Sequence, residues 1–324
     1  MHYDVFNGDA DGICALIQLR LNEPKNSTLV TGIKRDIQLL DKLTIEPGDS
    51  LTVLDISFEK NSNKVNEFLA TDASIFYVDH HQAGEIPVHP NLKAIIDTDS
   101  AVCTSLLVNQ YLGNKYPLWA VTAAFGDNVT KSAEKLASEI SLDSVQINKL
   151  NQLGNYINYN GYGSSLDDLH FYPDQLYREM ANYVSPFEFI SDNRATFDKL
   201  EGGYMEDMAN AEKIQPEFES EAVAVYLLPD VAWARRISGV YGNALANASP
   251  DKAHAVLSYN KSGGYLISVR APLNNKMGAD EFCSGFETGG GRKSAAGINH
   301  LPKEELVAFL EKFNQFYKQK RKVS

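Results

Sequence analysis

Short apolar runs punctuate the first part of the chain, each followed by polar turn residues and then by a stretch with helical apolar spacing. Strands are predicted at Val5-Phe6, Leu29 to Gly32, Leu51 to Leu54, Ile75 to Val78 and Ala94 to Asp97. Between and after them, helical spacing covers Gly12 to Leu21, Ile37 to Leu43, Asn63 to Ala70 and Ala101 to Tyr111. Strands alternating with helices predict an α/β domain with a mostly parallel sheet flanked by helices. From about Lys131 to Ile190 polar helices surround a Gly- and Asn-rich passage, Asn158 to Gly163, and complete this domain. A charged helical stretch, 191–221, reads as a connector. A smaller C-terminal α/β domain follows: strand Ala222 to Leu228, helix Trp233 to Ala246, strands Ala253 to Tyr259 and Gly264 to Arg270, and a helix from Lys303 to Phe316. The expected domains are therefore 1–190 and 222–324.

The 324 residues exceed a typical single domain, and an apolar content of 44% supports ordinary cores. No apolar run is long enough to cross a bilayer, and the start of the chain enters a strand without a signal-peptide layout. Cys14, Cys103 and Cys283 are widely spaced, as expected of small hydrophobes in a reducing cytoplasm. A net charge of −12 argues against a long duplex, which proteins hold by neutralising many phosphates with Lys and Arg.

Candidate chemistry lies where the predicted strands end. Val5-Phe6 runs into Asn7-Gly8-Asp9-Ala10-Asp11-Gly12, Leu51 to Leu54 into Asp55, and Ile75 to Val78 into Asp79-His80-His81. A fourth apolar stretch, Ala123-Ala124-Phe125-Gly126, closes on Asp127. Singly, each has an ordinary explanation: Asp-x-Asp-Gly as a tight turn, Asp55 as a helix cap, His-His as a solvated loop. Jointly they would gather carboxylates and an imidazole at the edge of an open sheet where ligands bind, a group that repels itself unless a cation sits in it. Oxygen-rich ligation suits Mn²⁺ or Mg²⁺ better than a structural zinc, and the number of carboxylates favours two ions over one. Two such ions suit hydrolysis of a phosphoester or phosphoanhydride. Further on, Gly289-Gly290-Gly291-Arg292-Lys293-Ser294 lacks the Gly-Lys-Ser/Thr of a P-loop and reads first as a tight strand-to-helix turn, although its backbone could approach an anion. Arg270, at the end of a predicted strand, is either a second anion contact or one side of an exposed salt bridge.

Together, Asp9-x-Asp11-Gly12, Asp55, Asp79-His80-His81 and Asp127 resemble the successive motifs of the DHH phosphoesterase superfamily. Gly289-Gly290-Gly291-Arg292-x-x-Ala295-Ala296-Gly297 resembles the signature of its companion DHHA1 domain. The resemblance implies one metal on Asp9 and Asp55, a second on Asp11, Asp55, His80 and Asp127, and Asp55 as the bridge. It implies that His81 faces the substrate phosphate, that Asp79 supports it, and that Arg270, Gly289, Gly290, Gly291 and Arg292 hold the nucleotide. Asn7 stands where relatives carry an acid or a histidine, which weakens the first metal or gives it a neutral amide oxygen. Arg292 replaces a common histidine. The expected activity is a cytoplasmic, Mn²⁺-dependent phosphodiesterase that cleaves very short oligonucleotides, a dinucleotide such as pGpG first among them. Cyclic dinucleotides, RecJ-like cleavage of single strands and a non-catalytic nucleotide sensor are the alternatives. No long duplex or membrane partner is expected, and a homodimer is compatible with the sequence.

Overall fold

The alternation of strands and helices in the first part of the chain forms a sheet of five parallel strands. Its strands are β1 (His2–Phe6), β2 (Thr28–Val30), β3 (Ser50–Leu54), β4 (Ser74–Asp79) and β5 (Leu92–Ile96), in the spatial order β2-β1-β3-β4-β5. Helices α1 (Ala10–Asn22) and α2 (Phe58–Ala70) follow β1 and β3. The strand order reverses between β1 and β3, the switch point at which an open α/β sheet leaves a crevice at its carboxyl edge. This computed structural model describes residues 1–260 and 263–323, which divide into two units, Met1–Gly202 and Gly203–Ser324.

One face of the sheet is closed by α2 and a short 3-10 turn. Val65, Phe68 and Leu69 of the helix, with Leu39 and Leu40 of the turn, pack on Val5, Val53, Ile75 and Tyr77. The helix expected over Ile37 to Leu43 is only that turn, Leu39–Lys42. Helix α1 is buried without interruption from Ala10 to Leu19, so it is a core helix rather than an amphipathic surface one. Beyond it lie α3 (Thr104–Tyr111), α4 (Pro117–Gly126), α5 (Thr130–Glu139), α6 (Ser144–Asn160), α7 (Pro173–Met180), α8 (Pro186–Asp192) and α9 (Arg194–Ala211), and the boundary between the units falls within α9.

Helix α4 gives the fourth apolar stretch its form, which the pattern left open. The apolar run before Asp127 is helix, and Asp127 is its C-cap rather than the end of a strand. A short apolar run does not distinguish a buried strand from a buried helix; Pro117 at the first turn and the ten-residue length favour the helix.

The second unit is built on a mixed sheet of six strands in the order β10-β11-β9-β8-β7-β6. These are β6 (Phe218–Glu219), β7 (Val223–Leu227), β8 (Ala253–Tyr259), β9 (Tyr265–Arg270), β10 (Gly289–Gly291) and β11 (Ala295–Leu301), with helices α10 (Ala232–Ala248), α11 (Ala279–Cys283) and α12 (Leu306–Val323). Its core joins Val223, Leu257, Ile267 and Ile298 of the sheet to Phe309 and Phe313 of α12. The glycine run does not turn into a helix. Gly289–Gly291 is an edge strand, and reciprocal backbone hydrogen bonds between Arg292 and Ala295 close a hairpin into β11.

Helices α4 and α6 meet through Gly126 and Gly154. A Cβ on Gly154 would run into the Thr122 carbonyl oxygen and lie 2.9 Å from Gly126 N, both backbone atoms that cannot move aside alone. Gly154→Ala is therefore expected to destabilise the protein by about 1–3 kcal/mol, the usual cost of overpacking. Gly202, exposed in α9 with open space around it, is the control: Gly202→Ala is expected to stabilise by about 0.4–1 kcal/mol through the unfolded chain. Urea melts of the two variants check both signs.

Candidate metal centre

Where β1 ends, Asp9 caps α1: its Oδ1 accepts from the amides of Asp11 at 3.0 Å and Gly12 at 3.2 Å. The tight approach requires glycine at position 12, because a Cβ there would strike the Asn7 carbonyl oxygen. Asp11, in the first turn of α1, is 0% exposed and reaches across to α3. Its two oxygens accept from the Thr104 and Ser105 amides, each at 2.7 Å. That capture explains why α3 begins at Thr104 and not at Ala101, since the first amides of a helix need acceptors from outside it.

Where β3 ends, Asp55 takes a left-handed backbone conformation, φ 58°. Aspartate tolerates this region better than most residues. Its Oδ1 accepts from Thr104 Oγ1 at 3.2 Å and lies 3.4 Å from His80 Nε2. The same His80 nitrogen is 3.6 Å from Asp127 Oδ2 and 3.9 Å from Asp11 Oδ2. His80 Nδ1 lies 3.1 Å from the Val102 carbonyl oxygen. A proton on Nδ1 would donate there and leave Nε2 with a lone pair facing the carboxylates, the arrangement of a metal-ligating histidine. Thus Asp11, Asp55, His80 and Asp127 converge from α1, β3, β4 and α4.

These residues fit a divalent cation. Asp11, His80 and Asp127 bring ligand atoms within 4.8 Å of one another, as do Asp55, His80 and His81. Asp127 Oδ2 is buried and has no hydrogen-bond partner in the protein, a cost that a bound cation would remove. Burial, and after it the charges of Asp11, Asp9, Asp127 and Asp79, push the Asp55 carboxyl well above the usual range. Burial raises Asp127 as well, against the opposing charge of Lys34.

The two histidines differ. His80 is 9% exposed and turned into the carboxylates, whereas His81 is 41% exposed. His81 Nδ1 is 2.7 Å from Asp79 Oδ1, while Asp79 Oδ2 accepts from the Phe58 amide at 3.2 Å. Asp79 thereby sets the orientation of His81. Burial works against the charged imidazole, but the Asp79 hydrogen bond and the surrounding carboxylates outweigh it and raise the His81 pKa.

One side chain at the centre has no motif to announce it. Lys34 follows β2, and its Nζ donates to Asp9 Oδ2, to Asn158 Oδ1 at 2.8 Å and, weakly, to Asp127 Oδ1 at 3.5 Å. Burial disfavours its charge, yet Asp9, Tyr162 and Asp127 hold its pKa well above that of an ordinary lysine. The available signal was positional: β2 is parallel to β1, so its carboxyl end lies along the same edge. Asn7 is 4% exposed; its Nδ2 donates to the Lys34 carbonyl oxygen at 3.2 Å, and its Oδ1 is buried without a partner.

The remaining candidates belong to the second unit. Arg270 ends β9 and is held by Asn243 Oδ1 at 2.5 Å, Ser268 Oγ at 2.9 Å and the Gly239 carbonyl oxygen at 3.1 Å. Cross-strand register places it opposite Ala295, the residue that closes the hairpin with Arg292. Arg270, Arg292 and the Gly289–Gly291 strand thus gather at one end of this sheet, with the Arg292 side chain exposed. The Gly289 amide donates to the Phe286 carbonyl oxygen and the Arg292 amide to Ala295, so neither is left for an anion.

No family model matches the sequence, and no curated protein matches it. Solved structures do. An exonuclease RecJ bound to manganese is similar with a TM-score of 0.63 and 14% identity, over 98% of this chain and 90% of that one. A DHH domain described as belonging to a member of the s1p family of ribosomal proteins gives a TM-score of 0.65 and 11% identity over 97% and 85% of the two chains. RecJ from Thermus thermophilus in complex with Mn²⁺ gives 0.61 and 15%, over 98% of this chain and 52% of that one. The chain therefore shares the fold of these RecJ and DHH-domain structures.

Proposed function

We propose that the chain is a metal-dependent phosphodiesterase that hydrolyses very short oligonucleotides to mononucleotides, with a dinucleotide such as pGpG as its preferred substrate. The observation that carries the hydrolytic reading is the convergence of Asp11, Asp55, His80 and Asp127 around a buried carboxylate oxygen without a protein partner. Mn²⁺ or Mg²⁺ held by these residues would supply Lewis acidity toward a phosphoryl oxygen and lower the pKa of water. Beside them, His81 is exposed enough to reach a phosphate, and Asp79 holds its ring so that the second nitrogen can deliver a proton to the leaving oxygen. Arg270 and Arg292 are proposed to bind the nucleotide, as cations suited to a terminal phosphate or a base edge.

The short substrate is favoured by the net charge of −12, which opposes a long polyanion. Three free, buried cysteines suit a cytoplasmic protein, and no described helix is long and apolar enough to cross a membrane. RecJ-like cleavage of single strands is the second reading, and the fold shared with RecJ favours it. A panel of linear 2- to 7-mers, cyclic dinucleotides, long single strands and pyrophosphate, incubated with Mn²⁺, separates the readings. Linear dinucleotides are expected to turn over fastest; fastest loss of long strands would establish the RecJ-like activity instead.

Two sets of variants test the residue roles. Asp55→Asn keeps a side chain that tolerates φ 58° and removes a charge repelled by four neighbouring carboxylates. Without metal it is expected to melt no lower than wild type. Wild type should gain about 2.7 kcal/mol at a hundredfold excess of Mn²⁺ over Kd. Asp55→Asn should gain far less and lose hydrolysis; an unchanged gain by calorimetry removes Asp55 from the ligand set. For the histidines, His80→Ala should lose bound metal. His81→Ala should keep it while turnover falls roughly a hundredfold or more. Equal metal loss in both would end the division of roles.

A further inference from the structure

The Asp9 side of the site is already filled by a cation that belongs to the chain. Lys34 Nζ has three N–H donors and three oxygen neighbours, Asp9 Oδ2, Asn158 Oδ1 and Asp127 Oδ1. Its backbone is pinned as well, because the Lys34 amide donates to the Gly161 carbonyl oxygen at 2.8 Å and its own carbonyl accepts from Asn7. The Tyr162 ring lies 5.6 Å from the ammonium, and the side chain is 22% exposed. This is a seated lysine, not a surface one.

Asp9 has little left for a metal. One of its oxygens takes the Asp11 and Gly12 amides, and the other takes Lys34. The neighbouring position, Asn7, offers only a neutral amide oxygen. A divalent ion at this side would meet one carboxylate already paired with an ammonium, and would sit against that ammonium. The other side has the opposite balance. Asp127 presents Oδ1 to Lys34 but Oδ2 to His80 Nε2, and Oδ2 has no hydrogen-bond partner in the protein.

We propose that the Lys34 ammonium takes the place of the first of two cations, so that the chain binds a single divalent metal, on Asp11, Asp55, His80 and Asp127. The proposal rests on the metal-dependent reading above and narrows it: the charge beside Asp9 is fixed by the protein and the charge beside Asp127 is exchangeable. Lys34 then stands beside the metal as a fixed positive charge. The expectation of two ions, drawn from the number of carboxylates, counted Asp9 as a ligand; its partner is an amine.

Manganese content after equilibrium dialysis, together with electron paramagnetic resonance of the bound ion, tests this without reference to turnover. Wild type is expected to hold one Mn²⁺ per chain with the hyperfine pattern of an isolated ion. Lys34→Ala should hold two, close enough for their spins to couple. The double variant Asn7→Asp/Lys34→Ala should bind the second ion more tightly than Lys34→Ala does. If circular dichroism shows Lys34→Ala unfolded, Lys34→Met, which keeps the bulk and removes both charge and donor, is read in the same way. A coupled Mn²⁺ pair in wild type overturns the proposal, as does a single ion in folded Lys34 variants. A folded wild type that takes up no Mn²⁺ overturns the metal-dependent reading and this proposal with it.

Discussion

Carboxylates removed from water repel one another unless each finds donors or a cation, and much of the first unit is arranged around five that have been so removed. Asp9, Asp11, Asp55, Asp79 and Asp127 sit at or beside the carboxyl edge of one parallel sheet, four of them no more than 2% exposed. The chain balances them unequally. Asp9, Asp11 and Asp79 receive backbone amides, Asp9 also receives an ammonium, and Asp55 and Asp127 are left with shifted affinities for protons. The imbalance marks the place where a cation is most strongly favoured.

The same hydrogen bonds couple the site to the fold. Asp9 starts α1 and Asp11 starts α3, so two helices are anchored by residues that also shape the centre. Asp79 holds the first amide of α2 with one oxygen and His81 with the other. Asp127 depends on the position of α4, which the glycine contact with α6 sets. A buried carboxylate that satisfies a helix end costs less than an isolated one, because the helix amides need an acceptor in any case.

In the second unit the two arginines are prepared in different ways. Arg270 is braced by an amide oxygen, a hydroxyl and a carbonyl oxygen, which fixes the plane of its guanidinium. Arg292 lies in the hairpin turn and is exposed. A braced guanidinium has less conformational entropy left to lose than a free one.

How much of this was legible along the chain depended on whether the information was local. The parallel sheet and its order of helices followed from apolar runs that alternate with helical spacing, and Asp9, Asp55 and Asp79 were visible because each lies at or just beyond a strand end. Periodicity gave out where one pattern fits two structures: the apolar run before Asp127 is a helix, and the glycine run is a hairpin strand. Lys34 carried no local signal, since a lysine after a strand looks like any surface charge until β2 is set beside β1. The sequence by itself determined which residue types are present and which strands they terminate, because side-chain period and turn chemistry are properties of neighbours in the chain. Only the tertiary structure decided which oxygen faces an amide, which faces an ammonium and which faces nothing, because those partners lie up to 124 residues apart in the chain and meet only when the sheet and α6 are assembled.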